Sequence, residues 1–236
     1  MRLGIAHGGT PTEIIALGDD GRELVRRRVP TPKESYNDVI RTMRDLVTRV
    51  ENELNTRGTV GVAIPGTISP MTGQVKNANA TRLIGHPLDK DLGTALGREV
   101  RVANDANCFA LSEATDGAAA GRDIVFGIIA GTGVGGGVVV GGRVLTGAHA
   151  ITGEWGHNPL PYPSVDEIEA APQCYCGRRG CIEAWCSGPA FEARFKERTG
   201  KSLKAAEIAE AASKGDADAK FAMEHSLDRF ARAIST

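Results

Sequence analysis

Two rounds of short strands and helices, each containing a glycine-rich turn, predict a mixed α/β chain of two domains. The first round is legible in three features. Residues 2–6, 12–17 and 22–29 read as strands, parted by His7-Gly8-Gly9-Thr10 and Gly18-Asp19-Asp20-Gly21. Val39, Ile40, Met43, Leu46, Val47, Val50 and Leu54 then repeat at helical spacing, a single apolar stripe. Residues 59–64 follow as an apolar run, the pattern of a strand buried on both faces.

The helix is expected to open at Thr31-Pro32-Lys33-Glu34, with Thr31 as cap and Glu34 closing a capping box, and to stop at Gly58. Residues 100–103 continue the sheet, and a helix over 106–114 begins beside Asp105. The small-residue stretch 117–121 reads as a hinge, dividing a domain over 1–120 from one over 121–236. The strand–turn–strand plan then restarts with 124–129, 138–140 and 144–145, and helices follow over 203–212 and 217–234. The chain stops at Ala233-Ile234-Ser235-Thr236 with no cap and few strands for its helices to cover, so the second domain reads as truncated.

The 28 basic and 29 acidic side chains nearly cancel, so no concentrated positive field points to a nucleic-acid or membrane partner. The N-terminus lacks the apolar run of a signal peptide, and no segment is long and apolar enough to span a bilayer, which predicts a cytoplasmic protein. In a reducing compartment the crowding of four of the five cysteines between Cys174 and Cys186 favours metal over disulfides.

Chemistry gathers at four places. Gly8-Gly9-Thr10 and Gly131-Thr132-Gly133 each follow a strand, where glycines let backbone N–H groups converge on a phosphate. Either turn alone is equally a flexible β-turn. Asn104-Asp105-Ala106-Asn107 sits between a strand and a helix, a place for a general base or simply for a helix cap. His157 upstream of Cys174, Cys176 and Cys181 offers a tetrahedral zinc site, while Cys108 and Cys186 read as core thiols.

Taken together, these motifs resemble the ROK family of repressors and sugar kinases. The stretches Pro65-Gly66-Thr67-Ile68-Ser69-Pro70 and Lys76-Asn77-Ala78-Asn79 look most like its bacterial fructokinases. The resemblance implies an actin-like, ribonuclease-H-like fold, two domains with a cleft between them. It implies ATP and Mg²⁺, a structural zinc ion, a hexose substrate and a homodimer. By the same resemblance Asp105 is the base for the C6 hydroxyl, and Asn79, Asn104, Glu154, His157 and Glu183 line the sugar. Gly8, Gly9, Thr10, Gly131, Thr132 and Gly133 contact ATP, and His157, Cys174, Cys176 and Cys181 hold zinc. Fructose is the expected substrate, with glucose, mannose and N-acetylhexosamines as family alternatives.

Two departures favour a competing expectation, a sugar-binding chain with impaired catalysis. Family kinases carry an aspartate before the first turn and often a lysine after it, where this chain has Ala6 and Pro11, with His7 at an aliphatic position. The aspartate helps to organise magnesium, and proline removes a backbone N–H. The second departure is the short C-terminal end. The repressor branch is not expected, because the chain opens directly at its first strand with no helix-turn-helix before it.

Overall fold

The computed structural model describes residues 1–78 and 80–235. Strands β1 (Arg2–His7), β2 (Pro11–Leu17) and β3 (Glu23–Pro30) form an antiparallel meander, followed by helix α1 (Tyr36–Leu54) and strand β4 (Thr59–Ile64). A small hairpin, β5 (Thr67–Ile68) and β6 (Val75–Lys76), precedes α2 (Leu88–Leu96), β7 (Val100–Asn104) and α3 (Asp105–Thr115). The main sheet has the order β3-β2-β1-β4-β7, with β4 parallel to both β1 and β7.

Alternation drives this assembly. In β1 and β4 every second side chain is buried, so Leu3, Ile5, Val62 and Ile64 face the stripe of Val39, Met43, Leu46, Val47 and Val50 on α1. Strand β4 is therefore buried on one face and half-covered on the other, not buried on both. Edge strand β3 carries Arg26, Arg27 and Arg28, which pair with Glu13, Glu23 and Glu53.

The helix signals move by a few residues. Ser35, not Thr31, caps α1, its hydroxyl accepting the Asp38 N–H at 3.2 Å. Thr31 is buried instead and donates to the Gly8 carbonyl at 2.9 Å. Asn55, left-handed at φ 45°, ends the helix before Gly58 is reached.

Strands β8 (Ile124–Ala130), β9 (Val134–Val140) and β10 (Arg143–Val144) follow. Then come helices α4 (Val165–Glu169), α5 (Ile182–Cys186), α6 (Gly188–Thr199), α7 (Ala205–Ser213) and α8 (Ala217–Ile234). The chain divides into two compact units, one of residues 1–123 and 139–151, the other of 124–138 and 152–236. A single cut after residue 120 differs from this because the chain returns. The end of β9 pairs β10 within the first unit (Arg143 with Val140, Val144 with Val139), and β10 packs beside α3.

The second unit is mostly helical, with one apolar cluster around Val134, Leu160, Ile182, Trp185 and Ala233 and another around Phe195, Ile208 and Ala219. Its C-terminal helix α8 is tied down by charge. Glu167 on α4 receives Arg229 at 2.7 Å and Arg232 at 2.9 Å, and Arg232 also donates to the Tyr162 carbonyl at 2.8 Å. Burial alone would raise the Glu167 pKa, but the Arg232 and Arg229 guanidiniums and the Ser164 N–H more than offset it and hold it at about 2. No helix among the described residues is long and apolar enough to cross a membrane.

Glu167→Ala would take the ion-pair partner from the largely covered Arg229, while Arg232 keeps Asp228 and the Tyr162 carbonyl, and should cost about 3 kcal/mol. Both tryptophans, Trp155 and Trp185, lie in the second unit, so urea unfolding followed by tryptophan fluorescence reads that loss.

Candidate functional site

In the first unit, β1 delivers the chain into the first glycine turn. The Gly8 N–H is bound to the Pro11 carbonyl at 3.1 Å, so this amide closes the turn on itself. The space beside Gly9 is open, and Gly9 and Thr10 are exposed. Under the turn lies a buried polar chain: His7 Nδ1 to the Thr12 hydroxyl at 2.9 Å, and Thr12 to the Thr31 hydroxyl at 3.0 Å. The chain ends at the Gly8 carbonyl through the Thr31 bond already described, which pins the turn from beneath.

Ala6 points to the open face, opposite in sense to His7. Its cross-strand partner Glu13 is bound to Arg26 and Arg28, so that carboxylate does not stand in for the missing aspartate.

Asn104 ends β7 and caps α3, its side-chain oxygen accepting the Asn107 N–H at 3.1 Å. This leaves the Asn104 amide nitrogen to address a ligand, and it makes Asp105 the first helical residue rather than the cap. Asp105 is exposed, with Oδ1 on the Ala106 N–H at 2.8 Å. Although part of its surface meets water, the protein packed around the carboxylate desolvates it and lifts its pKa above the usual aspartate value, against the pull of the Ala106 N–H. Asn79 lies outside the described residues.

In the second unit, backbone pairing brings together four residues that could hold a metal ion. Leu160 N–H donates to the Gly180 carbonyl at 3.0 Å and Ile182 N–H to the Asn158 carbonyl at 2.9 Å, which lays the segment after His157 along the segment holding Cys181. A tight loop, with Cys174 N–H on the Arg178 carbonyl at 2.8 Å, turns Cys174 and Cys176 inward to meet them. The ligand atoms of His157, Cys174, Cys176 and Cys181 all fall within 4.8 Å of one another. Cys174 Sγ to His157 Nδ1 and Cys176 Sγ to Cys181 Sγ are each 3.6 Å. Zinc bonded at about 2.3 Å in a tetrahedron requires ligand separations of roughly 3.8 Å, so the donor set fits such an ion.

Glu183 is buried at the start of α5, and its Oε2 accepts the Val134 N–H at 2.8 Å, just past the second glycine turn. Gly133 permits that approach, since a Cβ there would stand 2.6 Å from the same oxygen. Gly156 permits a second approach: its Cβ would lie 1.9 Å from the Val134 carbonyl, so the short helical turn carrying His157 rests directly on β9. The turn itself is closed by Gly131 N–H on the Gly133 carbonyl at 2.9 Å and braced by Gly188 N–H on the Gly131 carbonyl at 2.8 Å. Glu154 is exposed at the head of the His157 turn.

Sequence reasoning missed Tyr175, whose hydroxyl lies 3.1 Å from His157 Nε2. The only signal for it was an aromatic residue between two cysteines.

The ROK family profile matches residues 2–236. This chain belongs to the ROK family. It is 39% identical to an N-acetyl-D-glucosamine kinase of Yersinia enterocolitica over 97% of this chain and 76% of that protein. It is 40% identical to one of Pasteurella multocida over 93% of this chain and 73% of that protein. A ROK hexokinase from Thermus thermophilus superimposes with a TM-score of 0.81 at 32% identity, covering 97% of this chain and 74% of that one. The ROK family glucokinase from Streptomyces griseus, solved with glucose and AMPPNP, gives a TM-score of 0.77 at 25% identity over 97% and 76% of the two chains. The chain thus spans about three quarters of the length of these relatives, and its fold is the actin-like fold of ROK sugar kinases.

His7 makes the first turn acid-sensitive. Burial, aided by the Arg82 charge, lowers its pKa from 6.5 to about 4. Folding therefore favours neutral His7, and the stability it contributes is full above pH 6.5 and lost as pH falls toward 4. Between pH 7 and 5 this loss is about 2 kcal/mol. His7→Leu should remove that part of the acid destabilisation, measured as the wild-type minus variant difference in unfolding free energy at the two pH values.

Proposed function

We propose that this ATP-dependent hexose kinase phosphorylates the 6-hydroxyl of an N-acetylated hexosamine, with Asp105 as general base. The reaction class is supported by Asp105 itself: an exposed carboxylate at a strand–helix junction, with its proton affinity raised by desolvation and its helix-capping duty taken by Asn104. Asp105 accepts the proton of the sugar hydroxyl as that oxygen forms its bond to the γ-phosphorus, and the bond to the β–γ bridging oxygen breaks to release ADP. By the family resemblance, the Asn104 amide in the first unit and the Glu154 and Glu183 carboxylates and His157 imidazole in the second are groups of the kind that bind sugar hydroxyls.

The substrate class rests on the relatives. Likeness to N-acetyl-D-glucosamine kinases extends over almost the whole chain, whereas the fructose expectation rests on a few short stretches. A zinc ion would be held by His157 Nδ1, Cys174, Cys176 and Cys181, supplying a structural cross-link and no chemistry. Magnesium would enter with ATP. Ala6 offers it no carboxylate, and the Gly8 N–H is already bound to Pro11, so the first turn has fewer groups for the nucleotide than the family pattern provides. That observation favours a second reading, a chain that binds hexose but transfers phosphate slowly.

The deciding experiment is a coupled ADP-release assay with MgATP and N-acetylglucosamine, N-acetylmannosamine, glucose, mannose or fructose. Best turnover on an N-acetylhexosamine is expected; best turnover on fructose would overturn the substrate class. No turnover, with a sugar still raising the melting temperature, would favour the impaired reading. Asp105→Asn should lower kcat by at least about 100-fold with sugar affinity unchanged; loss of affinity in a folded variant would contradict its role as base. Removing zinc by chelation should lower the melting temperature of the second unit by several degrees, read by tryptophan fluorescence.

A further inference from the structure

The geometry points to Tyr175 as a gate on the hexose-binding groups, its phenol holding the place of a sugar hydroxyl; this rests on the kinase reading above. The phenol oxygen lies 3.1 Å from His157 Nε2, and the Glu183 carboxylate is nearby. The two rings meet edge to face with centroids 5.2 Å apart.

The direction of this bond follows from the cluster. His157 turns Nδ1 toward Cys174, so with a metal on Nδ1 its Nε2 carries the proton and donates. A partner at this place must therefore accept from His157, and the nearby Glu183 carboxylate favours one that also has a proton to offer. A hydroxyl does both, which makes Tyr175 the equivalent of one sugar hydroxyl at the two residues expected to bind sugar. Glu183 itself accepts the Val134 N–H just past the second glycine turn.

The side chain is also built to leave. Its backbone is fixed between two metal-ligand cysteines, yet the residue is 79% exposed, so the ring can rotate outward without disturbing a core. A tyrosine phenol is protonated at neutral pH, so this hydroxyl has a proton to donate as well as lone pairs to accept with. A hexose must displace this hydroxyl before its own reaches His157 and Glu183. The His157 bond then passes from the protein's hydroxyl to the substrate's.

Tyr175→Phe removes the competing hydroxyl and leaves the ring; Tyr175→Ala removes both. Calorimetric hexose titrations of the full chain, with zinc content verified, should show about 5- to 10-fold tighter binding in Tyr175→Phe, the loss of one net hydrogen bond from the competing state. The KM for ATP should not move. Tyr175→Ala should bind at least as tightly as Tyr175→Phe. Unchanged or weaker hexose binding in Tyr175→Phe would leave the hexose reading standing and overturn the gate, because the hydroxyl would then be inert or a substrate contact. Hexose binding seen only in the variants would support the gate. If neither wild type nor either variant binds any of the five sugars, the gate and the hexose reading both fall.

Discussion

The Glu183 carboxylate lies out of water at the start of α5, and much of the second unit is arranged around satisfying it. One oxygen is held by the Val134 N–H. Val134 also carries the carbonyl on which Gly156 rests and contributes its side chain to the apolar cluster with Ile182 and Trp185. Turn, α5 and the His157 segment therefore meet at a single strand residue. A buried carboxylate without that N–H would be strongly destabilising, so the glycines at 133 and 156, which allow the close packing, are as necessary as the charge itself. His157, Cys174, Cys176 and Cys181, which could hold a metal ion, gather on the same platform.

The first turn solves a related problem with neutral groups. Three side chains in series, His7, Thr12 and Thr31, carry hydrogen bonds from the core to the Gly8 carbonyl. The family pattern would put an aliphatic residue at position 7 and an acid at position 6. Here the polar group is on the core side of the strand and the open side is apolar. Strand alternation makes this exchange consequential: neighbouring residues in β1 face opposite ways, so polarity gained at His7 is no replacement for charge lost at Ala6.

Periodicity made the elements of the first unit legible. The meander, the stripe on α1 and the apolar run over 59–64 are local patterns that a sequence displays directly, although the run is half-covered on one face and not buried on both. What escaped depends on contacts distant in sequence. Thr31 has the composition of a helix cap, but its hydroxyl is claimed by Gly8, 23 residues earlier, and Ser35 takes the cap. The α2 helix, the small hairpin and the return of residues 139–151 to the first unit carry no strong local pattern. The gathering of His157, Cys174, Cys176 and Cys181 was legible because their spacing is itself a signature. Tyr175 was not, because its partner His157 lies 18 residues before it and meets it only in the fold.

Strand β3 closes one side of the main sheet, and among the described residues it has β2 as its neighbour and no strand beyond. Its three successive arginines are engaged with Glu13, Glu23 and Glu53. Another strand approaching that margin would have to strip water from a fence of paired ions before its backbone could register. The fence is electrostatic and exposed, so its height varies with ionic strength. Colloidal behaviour of the protein is thereby coupled to the salt of its surroundings, through a part of the molecule remote in sequence from Asp105 and the metal ligands.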